Sequence, residues 1–243
     1  MARLLYVCVR PQQGAAAAEY ESFRTAAHLE PDQLDRLDLV RERLPLGAFD
    51  RWDGFFVGGS PFNTTDPAST KTDTQLALEA DLERIARRAA ARETSALFTC
   101  FGIGIVTRML GGTVSRAHPE DTGPVQVALT PDGERDALLG GLATRFTALT
   151  AHKEGAGETP PGAVLLATNE QCPVQAYAVG EHLYATQFHP EPTTRAFTER
   201  MAVYRDDGYF DARDYEPLAA RVLAASVTEP PRILRAFARR LLG

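Results

Sequence analysis

Three short segments of this 243-residue chain carry residue types that together can act on an amide. Phe98-Thr99-Cys100-Phe101-Gly102-Ile103-Gly104 sets a cysteine between an apolar run (Ala96, Leu97, Phe98) and a helical pattern (Ile105, Val106, Met109, Leu110). Gln187-Phe188-His189-Pro190-Glu191 closes another apolar run with an imidazole and a carboxylate. A thiol, a base and an acid that orients the base are the components of nucleophilic attack on a carbonyl through a covalent acyl intermediate. The third segment, Phe55-Phe56-Val57-Gly58-Gly59-Ser60-Pro61, is a strand pattern running into paired glycines, whose bare amides can donate to a developing oxyanion.

Spacing constrains the acid and the base. Side chains two apart on an extended chain share a side. Pro190 and Pro192 directly follow His189 and Glu191, and a following proline disfavours the α region. Both residues are therefore expected to be extended and on one side. The carboxylate then accepts from one ring nitrogen and leaves the other free as base. Taken alone, the pair also reads as a surface histidine beside a solvated glutamate; the prolines and the cysteine count against that. Cys100 reads as the nucleophile of a strand-to-helix elbow. There it lies near a helix N-terminus that favours the thiolate. Its competing reading is a small buried hydrophobe. Gly102 removes a side chain where the tight turn crowds its neighbours.

In this order the three blocks resemble the class I, triad-type glutamine amidotransferase domain, in particular its GMP-synthase-like branch, here as a stand-alone chain. Gly58-Gly59-Ser60-Pro61 is similar to the family's oxyanion-strand glycines, Cys100-Phe101-Gly102 to its nucleophile elbow, and Gln187-Phe188-His189-Pro190-Glu191 to its His/Glu block. The stretch holding His152, Pro160-Pro161-Gly162-Ala163 and Cys172-Pro173-Val174-Gln175-Ala176 also looks like this branch. The resemblance runs over residues 3–192. It implies Cys100, His189 and Glu191 as catalytic, the backbone amides of Gly59 and Phe101 as the oxyanion hole, and substrate contacts from Gly58, Ser60, Gly104 and His152.

The implied reaction is release of ammonia from the side-chain amide of glutamine through a thioester, with no metal or other cofactor. No P-loop motif or synthetase domain is present in the sequence, so use of the ammonia in biosynthesis would need a separate synthetase partner. Three departures stand out. Phe98 replaces the family's glycine, Ile103 stands where histidine is frequent, and Gly104 replaces the glutamine that helps hold the substrate. Gly104 is expected to leave vacant volume beside the substrate. That keeps open a γ-glutamyl peptidase or hydrolase acting on a bulkier γ-glutamyl conjugate. A non-catalytic binding protein of the same fold is a further reading, and retention of all three triad residue types counts against it. Unrelated α/β-hydrolases place the acid before the histidine in the chain.

Composition agrees with a small-molecule enzyme. A hydrophobic content of 44% over 243 residues suffices for one substantial core. One domain is expected over 1–243, with a catalytic core over 3–192 and a C-terminal helical segment over 193–243. The net charge of -6 offers no electrostatic attraction to nucleic acid or an anionic membrane. Cys8, Cys100 and Cys172 form no C-x-x-C pair or disulfide framework, and the five histidines no metal-ligand spacing. No apolar stretch reaches spanning length, and the run at 4–9 is too short for a signal h-region, so a cytoplasmic protein is expected.

Strand and helix patterns alternate, which predicts an α/β fold: a flavodoxin-like domain with a mostly parallel central sheet flanked by helices, plus a smaller antiparallel element. Strands are expected at 4–9, 37–40, 54–57 and 96–99, with helices at 20–27 and 74–91. Antiparallel strands follow at 125–129, 163–168, 174–179 and 182–187, with Gly180-Glu181 as a hairpin turn. A helix at 193–204, a polar loop at 205–214 and a helix opened by Pro230-Pro231 complete the chain. The last helix should turn Leu234, Phe237 and Leu241 inward and Arg232, Arg235 and Arg239 outward.

Only Cys100 has elbow context. A γ-glutamyl-like electrophile such as diazo-oxo-norleucine is expected to label Cys100 first. Peptide mapping that finds the adduct on Cys8 or Cys172, with Cys100 free, overturns the assignment.

Overall fold

The computed structural model describes residues 3–206 and 208–243. In chain order its first half holds β1 (Leu4–Cys8), α1 (Gln13–Ala26), β2 (Leu34–Asp38), α2 (Ala48–Arg51), β3 (Gly54–Val57), α3 (Asp73–Ala90), β4 (Ser95–Thr99) and α4 (Phe101–Met109). The second half holds β5 (Val114–Ser115), β6 (Glu120–Leu129), β7 (Arg145–His152), β8 (Gly155–Ala156), β9 (Val164–Thr168), β10 (Ala176–Val179), β11 (Leu183–Thr186), α5 (Thr194–Val203), α6 (Tyr215–Leu223) and α7 (Pro230–Leu242).

The central strands read as unbroken apolar runs because both faces of the sheet are covered. In β1, Leu4, Tyr6 and Cys8 face one side, where Phe23 of α1 and Phe237 of α7 pack. Leu5 and Val7 face the other, against Leu78, Leu82 and Ile85 of α3 and Val106 of α4. The result is a three-layer α/β/α arrangement. Helix α3 starts where its sequence signals a start: Thr72 Oγ1 accepts a hydrogen bond from the Gln75 amide at 3.1 Å, capping the first turn.

The sheet runs β2-β1-β3-β4-β11-β10-β9-β6-β7. The β2, β1, β3, β4 and β11 neighbours pair in parallel, and the remaining pairs are antiparallel. Strands β5 and β8 form a separate two-stranded antiparallel ladder. The expected α/β fold with a mostly parallel central sheet is thus present, with β11 filling the fifth position of the doubly wound order. Ligands in such sheets bind at the carboxyl ends of the strands. Arg10, Gly59, Cys100 and His189 all follow those ends.

The expected elements recur with shifted bounds. Helix α1 begins at Gln13 rather than at 20, because its opening turns are alanine-rich and carry little apolar contrast. Strand β2 lies at Leu34–Asp38 rather than at 37–40, and β6 reaches back to Glu120. Strand β7 and helix α6 were not expected. The inward positions of β7 include Ala148, Thr150 and His152, so its alternation is hidden by small and polar residues. No helix among the described residues is long and apolar enough to cross a membrane.

Two backbone contacts outside the regular ladders gather the site. The Cys100 amide donates to the Thr186 carbonyl at 2.8 Å, fastening the elbow to the end of β11. The His189 amide donates to the Leu149 carbonyl at 2.9 Å, which brings the edge strand β7 back to the segment that follows β11.

Gly102 is required by the residue four before it. A Cβ at Gly102 would stand 2.9 Å from Phe98 Cβ, and neither atom is on a flexible tip. Gly102→Ala is expected to cost about 1–3 kcal/mol in chemical denaturation, the usual penalty of overpacking. An unchanged midpoint would mean that the elbow shifts freely, contrary to this packing.

Candidate active site

Cys100 occupies a conformation that non-glycine residues rarely adopt, with φ 51° and ψ -104°. Its amide is tied to Thr186, and its carbonyl accepts from Ile103 at 3.1 Å, so the turn is held from both sides. The side chain is buried, with Sγ 3.9 Å from the Ala151 carbonyl oxygen. Phe101 is the first residue of α4, and Gly59 follows β3. Among the described residues, neither of their amides donates to a protein oxygen. A Cβ on Gly59 would lie 2.7 Å from His189 Cε1 and 2.9 Å from Arg10 Nη2. Only glycine lets this backbone lie against the imidazole.

His189 Nδ1 stands 2.9 Å from Glu191 Oε1, and both side chains are buried. An ionised carboxylate only accepts, so Nδ1 carries the hydrogen and Nε2 is left for the thiol side. Burial alone would favour the neutral ring. The Glu191 charge, then Cys100 and the hydrogen bonds to both, outweigh it and raise His189 to about 9. Burial likewise pushes Glu191 up, but His189 and then Arg200 hold its carboxyl well below the usual range.

Behind this pair runs a line of buried charges. Arg200 Nη1, on α5, donates to Glu191 Oε1 at 2.8 Å and lies 3.3 Å from Glu19 Oε1. Arg10 Nη2 donates to Glu19 Oε1 at 2.7 Å, and Tyr6 Oη donates to Glu19 Oε2 at 2.6 Å. Arg10 Nη1 reaches Tyr204 Oη at 3.1 Å. Two cations and two anions therefore balance. Glu19 is held ionised: its burial is outweighed by Arg10 and Arg200. Sequence reading assigned no role to Arg10, Glu19 or Arg200, which are distant in the chain. The one available signal was Arg10 at the carboxyl end of the first strand.

The remaining expected contacts divide. Ser60 lines the cleft, and its Oγ donates to the Val9 carbonyl at 2.7 Å. Gly58 faces away from it: a Cβ there would strike Glu19 Oε2 at 2.4 Å and Tyr6 Oη at 2.9 Å, so its bareness admits the charge network. His152 lines the cleft but has both nitrogens engaged, Nδ1 with the Glu154 carbonyl at 2.9 Å and Nε2 with Glu120 Oε2 at 2.7 Å. The volume expected beside Gly104 is not vacant. Thr64 fills it, with both Cγ2 and Oγ1 3.0 Å from a Cβ built there. Thr64 is held by Glu154 Oε1, which accepts from its amide at 2.7 Å and its hydroxyl at 2.8 Å.

Two groups of potential metal ligands occur among the described residues, Glu19-His189-Glu191 and Glu120-His152-Cys172. In the first, both carboxylates are neutralised by Arg10 and Arg200. In the second, Glu120 accepts from Asn169 and Gln175 besides facing His152. Burial and the Glu120 charge push the Cys172 thiol up to about 12. Burial also raises Cys8. Neither is suited to form a thiolate near neutral pH.

The cleft has two lobes that meet at Cys100. The first contains Phe101, Gly104, His152 and Glu154. The second contains His189, Arg10 and the apolar residues of α5 and the segment after it.

The family model described as glutamine amidotransferase class-I matches residues 46–204. The chain belongs to this family. It is 26% identical to gamma-glutamyl peptidase 3 of Arabidopsis thaliana over 182 residues, 73% of this chain and 65% of that protein. It is 30% identical to one subunit of the glutamine-hydrolyzing GMP synthase of Pyrococcus abyssi over 93 residues, 38% of this chain and 48% of that one. The matches thus span less than two thirds of either relative. Among solved structures, a glutamine amidotransferase from Thermotoga maritima superposes with a TM-score of 0.73 at 18% identity, covering 99% of this chain and 98% of that one. At that identity the likeness speaks for the fold.

The raised His189 pKa yields a pH prediction. A group whose folded pKa lies above its unfolded value contributes stability that is fully present below the unfolded pKa, about 6.5 for imidazole. That contribution is lost as pH rises through about 9, where the folded group titrates. Removing the Cys100 thiol deletes one of the upward influences. An NMR titration should therefore find a lower His189 midpoint in Cys100→Ala than in the unsubstituted protein; an unchanged midpoint would contradict the coupling.

Proposed function

We propose that this protein is a thiol amidohydrolase that cleaves γ-glutamyl amides through a thioester, with Cys100, His189 and Glu191 as its catalytic residues. The observation that carries the reading is a cysteine held at positive φ on a strand-to-helix elbow, coupled to a histidine whose other nitrogen is fixed by a buried carboxylate. Cys100 Sγ, its proton already passed to His189 Nε2, attacks the γ-carbonyl carbon. The amides of Gly59 and Phe101 receive the oxyanion. His189 protonates the leaving nitrogen, and the C–N bond breaks. Water then adds to the thioester with His189 as base, releasing glutamate and restoring the thiol. Glu191 fixes the tautomer and stabilises the imidazolium, and Arg200 holds Glu191 ionised.

The first lobe suits the glutamyl moiety. Its Glu154 carboxylate offers a negative end for an α-ammonium group, and Ser60 and Gly104 flank the approach to Cys100. With glutamine as substrate the leaving group is ammonia, and a synthetase partner would consume it, as the likeness to part of a GMP synthase suggests. With a γ-glutamyl conjugate no such partner is needed. The similarity to a gamma-glutamyl peptidase and the second lobe beside His189 favour that alternative.

The test is release of ammonia or amine from glutamine and γ-glutamyl amides. His189→Ala and Cys100→Ala are expected to lose nearly all turnover. Glu191→Gln keeps the shape without the charge and should retain a small fraction, with slower acyl-enzyme formation. Turnover in Cys100→Ala equal to that of the unsubstituted enzyme refutes the mechanism. Full activity in Glu191→Gln would transfer the orienting role to another acid, with Glu19 nearest at hand.

A further inference from the structure

The two lobes of the cleft differ in what they offer a ligand, and the difference bears on which side of the scissile bond each serves. Both share Ser60, Cys100, Ala151 and Tyr209, so the reacting carbon lies at their junction. Only the second contains His189. In the mechanism above, His189 delivers the proton to the leaving nitrogen. The group attached to that nitrogen must therefore extend into the second lobe.

That lobe has room for more than ammonia. Its water-accessible space is about 40 Å³, against the roughly 10–15 Å³ that one water needs. Its chemistry is selective as well. Phe197 and Met201 of α5, with Tyr204, Tyr209 and Phe210, supply an aromatic and thioether wall. Its two guanidinium groups are already matched: Arg10 by Glu19 and Arg200 by Glu191. Tyr204 Oη accepts from Arg10 and donates to Gln12 Oε1 at 3.0 Å. Thr122 Oγ1 is directed to the Tyr209 carbonyl. A carboxylate on the leaving group would thus find guanidinium groups whose charge is already cancelled, while an apolar or aromatic group would find ring faces and a sulfur.

We infer that the second lobe is a leaving-group subsite for an uncharged apolar or aromatic substituent, making the preferred substrate a γ-glutamyl amide of a hydrophobic amine rather than glutamine or a γ-glutamyl peptide. This rests on the γ-glutamyl reading of the site. The reaction balances with water alone: the amide C–N bond breaks as C–S forms, the amine leaves with the proton from His189, and hydrolysis of C–S returns glutamate and the Cys100 thiol.

The experiment measures kcat/KM for L-glutamine, γ-glutamylglycine, γ-glutamylethylamide and γ-glutamylbenzylamide, following amine or ammonia release. Benzylamine is a weaker base than ethylamine, so the subsite is read from how Phe210→Ala changes their ratio, with the chemistry of each leaving group held constant. The benzylamide is expected to exceed the ethylamide by about tenfold or more, in line with what apolar pockets discriminate. γ-Glutamylglycine should fall below both, since its carboxylate meets guanidinium groups that are already paired and an apolar wall. Phe210→Ala should lower the benzylamide-to-ethylamide ratio severalfold. Equal rates for the two amides, faster turnover of γ-glutamylglycine or glutamine, or a ratio unmoved by Phe210→Ala overturns the subsite while leaving the γ-glutamyl reading intact. No turnover of any of the four, with no labelling of Cys100 by diazo-oxo-norleucine, removes the γ-glutamyl reading itself and the subsite with it.

Discussion

The site depends on the cancellation of four buried charges behind one imidazole. Arg10, Glu19, Arg200 and Glu191 come from the end of β1, from α1, from α5 and from the segment after β11, and all are nearly inaccessible to water. Any one of them alone in such surroundings would neutralise itself or be ejected; losing a partner from a buried pair typically costs about 3–5 kcal/mol. Together they keep Glu191 ionised, and an ionised Glu191 fixes His189 with its proton on Nδ1. The arrangement also couples the fold to the chemistry. Helix α5 must dock against α1 for Arg200 to reach both carboxylates, so the C-terminal segment helps to build the candidate site.

Glycines around the cleft serve proximity rather than flexibility. Gly58 admits Glu19 and Tyr6 to the end of β3, Gly59 admits the imidazole and Arg10, and Gly102 admits Phe98 beneath the elbow. Each lacks a side chain because a specific neighbour occupies the space. The same argument reverses the meaning of Gly104. The glutamine that the family resemblance leads one to expect there is absent, yet the space is taken by Thr64, which Glu154 holds by two hydrogen bonds. The family's side-chain amide on α4 is thus absent, and Glu154, on the segment between β7 and β8, lines the first lobe. The second lobe is lined by α5 and the segment after it.

The local parts of this protein were legible in its sequence. Prolines after His189 and Glu191 set both on one side of the chain, and the structure has their side chains 2.9 Å apart. An apolar run ending in cysteine and turning into a helical pattern announced the elbow. A short apolar run placed β3 to the residue, and apolar positions repeating at three and four placed α3 to within one residue at each end. These features depend on interactions over a few residues, where backbone geometry and side-chain spacing leave little choice. Strand β7 escaped because its inward positions are partly alanine, threonine and histidine, which contrast too weakly with its outward ones.

What the sequence could not contain was the pairing of residues far apart in the chain. Arg200 and Glu19 are 181 positions apart and look like ordinary solvated helix charges; only docking of α5 beside α1 removes them from water and makes each the other's counter-ion. The filling of the Gly104 space by Thr64, the engagement of both His152 nitrogens and the apolar wall beside His189 likewise arise where separate segments converge. The sequence by itself determined the candidate thiol, imidazole and carboxylate and the strands that present them, because each is written in contiguous residues. Tertiary structure decided the charge state of that carboxylate and the shape on either side of Cys100, because burial and long-range contact exist only once the chain has closed on itself.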